Sequence, residues 1–242
     1  MRRLRILRAA LFAAFLGCLS SALSRGAEST NATRTIVVLG DSLAAGSGVA
    51  PEESFPALLQ KFIDERGMKF RVVNAGVPGD TSAGGLRRLD WLMRQRIDVL
   101  IVELGGNDGL RGILPEATRT NLQSIIDRTR ARYPDVEVIL AGMQMPPNMG
   151  EQYQKEFERI YPELAEKNNA HLIPFLLENV GGRPELNQPD RIHPTAEGQR
   201  IVAENVWKIL APVLEEMTAP PSEPGAGTAS SPRREARPAP GD

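Results

Sequence analysis

"VVLGDSLAAGSGV", residues 37–49, places Gly-Asp-Ser directly after an apolar, β-branched run. A run of that kind reads as a strand covered on both faces, and glycine with an acid and a hydroxyl reads as the turn that ends it. Turn chemistry alone accounts for the tripeptide. A serine held at the mouth of a strand-to-helix turn, with glycines that let a reactant approach the backbone, is also how a nucleophile is presented. The surrounding chain has to separate these two readings.

Four more runs resemble the first. "FRVVNA" (70–75), "DVLIVEL" (98–104), "VEVILAG" (136–142) and "HLIPFLL" (171–177) are short, apolar and without clear alternation, as expected of strands buried on both sides. Amphipathic stretches separate them. "PEESFPALLQKFIDERG" (51–67) has Pro near its start, acids in its first turn and Gly67 as a stop. Further helices are predicted over 84–96, 115–134, 151–168 and 195–217, each as one continuous element. Alternating strands and helices require crossover connections, so the expected fold class is α/β, a parallel sheet with helices on both faces. Ligands of such sheets bind beyond the carboxyl ends of the strands. The polar motifs fall there: "GDSL" after the first strand, "GVPGDTS" (76–82) after the second, "GGNDG" (105–109) after the third and "QPDRIHP" (188–194) after the fifth.

The chain has two histidines. His193 lies three residues after Asp190, a spacing at which the carboxylate can reach the ring, fix its tautomer and stabilise its protonated form. Pro194 restricts His193 to extended backbone. The same segment also reads as a helix-capping region in which Asp190 serves the turn. His171, at the start of the fifth run, reads as structural. Gly79 could offer an unobstructed backbone N–H, Asn107 a side-chain amide, and Ser42 its own N–H, three donors suited to a developing oxyanion. Each also has a plain turn or cap reading.

Taken in order, "GDSL", Gly79 within "NAGVPGDTS", "GGND" and "DRIHP" resemble the four blocks of the SGNH, or GDSL, hydrolase superfamily. The longer stretches "VVNAGVPGDTSAGGLRRL" (72–89) and "VELGGNDGLRG" (102–112) resemble its bacterial acyl-CoA thioesterase I, lysophospholipase and arylesterase branch. The resemblance spans roughly residues 35–215. It implies a three-layer α/β/α, flavodoxin-like fold with a five-stranded parallel sheet. It also implies Ser42 as nucleophile, His193 as general base and acid, Asp190 as its orienter, and Ser42, Gly79 and Asn107 as the oxyanion hole. The implied activity is hydrolysis of carboxylic (thio)esters, such as lysophospholipids or small acyl esters, with no cofactor and no metal. A carbohydrate or peptidoglycan O-acetyl esterase and a non-catalytic lipid-binding envelope module are the alternatives. Arg191 departs from the pattern, standing where relatives have Gly. The segment "MQMPPNMGEQY" (143–153) resembles one that borders the acyl chain, although Met145 and Met149 also suit packing.

The ends read differently from the body. Residues 1–28 carry five Arg and one Glu around an apolar run followed by small residues, the pattern of an export signal. The net charge is −1, so the remainder carries −5, a balance that gives no support to nucleic-acid binding. Cys18, the sole cysteine, sits in "FLGC". It reads either as a lipidated membrane tether or as a residue discarded with the leader, so the body is expected to be periplasmic or lipid-anchored and free of disulfides. The expected boundaries are a leader over 1–28, a hydrolase domain over 29–217 and a disordered tail rich in Pro, Ala, Gly and Ser over 218–242. The oligomeric state is not legible in the sequence.

Overall fold

The apolar run that precedes Gly-Asp-Ser becomes an interior strand of the sheet. Ile36, Val37, Val38 and Leu39 are all fully buried, each contributing about 1.5–3 kcal/mol of burial free energy. The computed structural model describes residues 32–219. The leader, Cys18 and nearly all of the 218–242 tail therefore lie outside the described residues.

In chain order the elements are β1 (Arg34–Gly40), α1 (Ser42–Ala45), α2 (Phe55–Glu65), β2 (Phe70–Gly76), α3 (Ser82–Leu92), β3 (Val99–Glu103), α4 (Gly106–Leu110), α5 (Pro115–Arg132), β4 (Glu137–Ala141), α6 (Glu151–Glu158), α7 (Ile160–Asn168), β5 (His171–Ile173) and α8 (Ala196–Thr218). The five strands form one parallel sheet in the order β2-β1-β3-β4-β5. Helices α2 and α8 pack together on one layer, and α3, α5 and α7 on the other. This is the expected three-layer α/β/α, flavodoxin-like arrangement. Its strand order reverses between β1 and β3, the switch point at which such sheets bind ligands.

Several local expectations need correction. β2 is an edge strand whose one strand neighbour is β1, so Arg71 and Asn74 are exposed rather than covered on both faces. β5, the other edge, stops at Ile173 because Pro174 brings no N–H to the ladder. The 51–67 helix splits into a short 3₁₀ turn over Pro51–Glu53 and α2. Ser54 between them is extended (φ −63°, ψ 145°), since the ring of Pro56 would clash with the residue 52 carbonyl in a continuous helix. Pro162 has the same effect on the 151–168 stretch, which breaks into α6 and α7 at Arg159. Pro212 does not break α8, which runs on to Thr218.

The short helix α1 is wedged against the sheet. Asp41 caps it by accepting from the Leu43 N–H at 3.0 Å, and Asn74 of β2 donates to the Ala44 carbonyl at 2.7 Å. A Cβ at Gly76 would sit 2.3 Å from the Ala45 nitrogen and 2.8 Å from the Ala44 carbonyl carbon, both backbone atoms with no room to yield. The close approach of β2 to α1 therefore requires glycine at residue 76. Gly76→Ala is expected to destabilise the protein by about 1–3 kcal/mol in urea unfolding, and a loss below about 0.5 kcal/mol would show that α1 is not seated as described.

Candidate active site

Three chain segments meet beyond the carboxyl ends of β1, β2 and β3. Asp41 and Ser42 follow β1, Gly79 follows β2, and Gly106 with Asn107 opens α4 after β3. All of them line one cleft of about 570 Å³, as does His193 from the loop before α8.

The histidine loop is built to hold its ring. The Asn187–Pro194 antiparallel bridge closes its base, and the Gln188 N–H donates to the His193 carbonyl at 2.8 Å. At its tip, Asp190 Oδ1 accepts from the N–H groups of Ile192 (2.9 Å) and His193 (3.0 Å). Its second oxygen, Oδ2, lies 2.6 Å from His193 Nδ1. These bonds, the one to the imidazole first, hold the Asp190 carboxyl down at about 2. An ionised Asp190 assigns the Nδ1–H tautomer, which leaves Nε2 as an acceptor. Nε2 lies 2.8 Å from Ser42 Oγ, across 151 residues of chain. The cap of α8 is Thr195, whose hydroxyl accepts from the Gly198 N–H, so Asp190 is not used as a helix cap.

Two glutamines fasten this loop to the serine turn. Gln188 Nε2 donates to the Ser47 carbonyl at 2.7 Å and the Pro194 carbonyl at 3.0 Å. Gln199, buried in α8, donates to the Leu43 carbonyl at 3.2 Å and accepts from the Phe55 N–H at 2.9 Å.

Of the donors anticipated around the serine, the Ser42 and Gly79 N–H groups make no intramolecular hydrogen bond among the described residues. Gly79 has φ 77°, a left-handed conformation that favours glycine. Asn107 Nδ2 donates to Asp41 Oδ2 at 2.9 Å, which fixes the amide plane at the edge of the cleft. His171 lies at the start of β5, away from these groups, with Nε2 3.2 Å from Glu137 on the neighbouring strand. Met145 lines the cleft, whereas Met149 packs half-buried against the core. Among the described residues no cluster of three or more His, Cys, Asp and Glu could hold a metal ion, and no helix is long and apolar enough to cross a membrane.

Behind the serine lies a feature the motif reading passed over. Glu103, the last residue of β3, is completely buried, and its Oε2 accepts from the N–H groups of Asp41 (3.0 Å) and Ala44 (3.2 Å). Its Oε1 has no donor among the hydrogen bonds of the described residues. The Asp41 carboxyl is its nearest charged neighbour in the electrostatics of the site. Burial, and then the Asp41 charge, push Glu103 well above the usual carboxylate range. Asp41 is also raised by burial, but the Leu43 N–H and the Asn107 amide work against that, so Glu103 is the member of the pair that favours the protonated form. Tyr161, fully buried and donating to the Leu104 carbonyl, is a further titratable group close by. Asp108 is buried too but well satisfied, accepting from the Ser82 N–H at 2.8 Å, the Ser82 hydroxyl and Thr118 Oγ1. The signal for Glu103 was present, an acid at the end of an otherwise apolar strand.

Glu103→Gln tests this protonation. A carboxyl with a raised folded-state value favours the fold fully below its unfolded value of about 4.3 and loses that contribution as pH rises toward the folded value. Gln has no such loss. The melting temperature of Glu103→Gln relative to the unaltered protein is therefore expected to climb between pH 4 and pH 8. A difference that stays constant would mean that Glu103 is ionised throughout.

The comparisons with known proteins agree with this geometry. Residues 38–201 match the model of the GDSL-like Lipase/Acylhydrolase family. The chain is 45% identical over 184 residues to "Esterase TesA" of Pseudomonas aeruginosa, covering 76% of this chain and 90% of that protein. It is 40% identical over 184 residues to "Thioesterase 1/protease 1/lysophospholipase L1" of Escherichia coli K12, covering 76% of this chain and 86% of that one. A crystal structure of TesA superposes with a TM-score of 0.71 at 43% identity, covering 74% of this chain and 99% of the other. With sequence, fold and cleft in agreement, this chain belongs to the GDSL-like (SGNH) lipase/acylhydrolase family, whose relatives here are hydrolases of ester bonds.

Proposed function

We propose that this protein is an exported serine esterase that cleaves acyl esters, including lysophospholipids, through an acyl-enzyme intermediate. The observation that carries the reading is the continuous chain from Ser42 Oγ to His193 Nε2 (2.8 Å) and from His193 Nδ1 to Asp190 (2.6 Å). His193 takes the hydroxyl proton as Ser42 Oγ attacks the ester carbonyl, and Asp190 stabilises the resulting imidazolium. The negative charge that forms on the carbonyl oxygen is received by the Ser42 and Gly79 N–H groups and the Asn107 amide. Collapse of the tetrahedral species breaks the ester C–O bond, and the alcohol leaves with the proton from His193. Water then adds to the acyl-enzyme by the same route, releasing the acid and restoring Ser42.

The cleft supports an acyl group longer than acetyl. Its lining is mostly apolar, with Leu110, Met143, Met145, Phe175, Leu177 and Ile192 along its walls. A volume of about 570 Å³ is that of a small-molecule site. Each methylene moved from water into such a lining contributes up to about 0.8 kcal/mol. Export through the 1–28 leader belongs to the same reading. It places the enzyme where lysolipids and small acyl esters, rather than coenzyme A thioesters, are the substrates at hand.

Ser42→Ala is expected to abolish ester turnover while leaving the melting temperature within a few degrees, because the residue lies at a turn; persistent turnover would place the nucleophile elsewhere. Asn107→Ala is expected to lower kcat about a hundredfold or more with a smaller effect on KM, as for a donor used mainly in the transition state. A loss of tenfold or less would make Asn107 structural. Across p-nitrophenyl esters, kcat/KM is expected to rise from acetate to octanoate by about tenfold or more. A steep preference for acetate would instead favour an O-acetyl esterase.

A further inference from the structure

The loop that carries the imidazole contains an arginine in an unusual place. Gln188 to Arg191 form a turn closed by the Arg191 N–H donating to the Gln188 carbonyl at 2.8 Å, and Arg191 ends it with φ 62°. Positive φ at that position is the usual place of glycine or asparagine, and a long side chain there costs about 1–2 kcal/mol. The residue nevertheless lines the cleft and is exposed to solvent. Among the described residues its guanidinium has no hydrogen-bond or ion-pair partner. The other ionisable residues of the lining are His193 and the buried Asp41. Asp190, just outside the lining, spends both oxygens on Ile192, His193 and the imidazole. Among the described residues that line the cleft, Arg191 is thus the one permanently cationic side chain, and unlike the buried Asp41 it is open to solvent.

Its position relative to the proposed reaction gives that charge a direction. The leaving alcohol receives its proton from His193 Nε2, so its oxygen must come within hydrogen-bond reach of that atom. Arg191 lies two residues before His193 on the same tight loop and lines the same cleft, so its charge stands on the side of the site where the leaving alcohol takes its proton. The apolar wall formed by Met143, Met145 and Leu177 suits the acyl chain. Arginine matches phosphate oxygens in geometry as well as charge.

Resting on the esterase reading, we infer that Arg191 is a specificity-determining residue that selects esters whose leaving alcohol carries a phosphate close to the ester oxygen, the chemistry of an anionic lysophospholipid, over neutral esters with the same acyl chain. Coenzyme A also carries phosphates, but at the far end of its pantetheine arm, so the arginine is not expected to govern discrimination in its favour.

The test compares 1-octanoyl-glycerol 3-phosphate, 1-octanoyl-glycerol and octanoyl-CoA as monomers with the full-length protein, Arg191→Gly and Arg191→Lys. Glycine relieves the left-handed backbone, so loss of fold is not the expected failure. For the phosphate ester over the neutral ester, the kcat/KM ratio is expected to fall about tenfold in Arg191→Gly, mainly through KM. Arg191→Lys is expected to restore part of it, and raising the salt from 50 to 500 mM to shrink the ratio of the unaltered protein. The ratio for octanoyl-CoA over the neutral ester is expected to stay within twofold. A phosphate-to-neutral ratio unchanged within twofold in Arg191→Gly overturns the assignment. A parallel fall in the octanoyl-CoA ratio overturns its restriction to a phosphate near the ester. Absence of turnover of all three esters by the unaltered protein overturns the esterase reading and this inference with it.

Discussion

A single buried carboxyl holds the serine turn in shape. Glu103 Oε2 receives the N–H groups of both Asp41 and Ala44, the residues on either side of the Ser42–Leu43 pair, and so clamps the turn to the end of β3. Gly40 makes this possible, since a Cβ there would lie 2.3 Å from the same oxygen. Burial and the Asp41 charge hold Glu103 well above the usual carboxylate range, so it lies at full burial without the cost of an isolated charge. Asp41 in turn caps α1 and accepts from Asn107. One chain of hydrogen bonds therefore fixes the backbone that carries the hydroxyl and the amide proposed to receive the oxyanion.

The second constraint is long-range. The imidazole reaches the serine only because a loop just before α8 is pinned to a turn just after β1. Gln188 does this from the loop and Gln199 from α8, each hydrogen-bonded to a backbone carbonyl of the 43–47 segment. Edge-to-face contact between Phe62 of α2 and Trp207 of α8 keeps the two helices in register beneath the site. The geometry between Ser42 and His193 is thus set by the packing of α8 on α2 as much as by the loop itself.

Much of this was legible in the residues. The five apolar runs located the strands, and their alternation with helices gave the sheet class, because a parallel connection needs a crossover. The motifs at the strand ends located the cleft, because that is where an α/β sheet is open. What stayed hidden was non-local. Glu103 stood out as an acid ending an apolar strand, but its role did not, since its partners lie about sixty residues earlier. The exposure of β2 depends on its being an edge, which no local pattern encodes. The breaks at Ser54 and Arg159 were readable from Pro56 and Pro162, but the apolar periodicity on either side outweighed them. Arg191 was visible as a departure from the family pattern, whereas its left-handed backbone and its place on the cleft wall emerge only once the loop is closed.

The central claim is that Ser42 is the one hydroxyl made reactive by its neighbours. Treatment of the protein with a fluorophosphonate, followed by proteolysis and tandem mass spectrometry, tests it most directly. A single phosphonyl adduct on the peptide containing Ser42, lost in His193→Ala, is the outcome this account requires. An adduct on another residue, or no adduct on a folded protein, would contradict it.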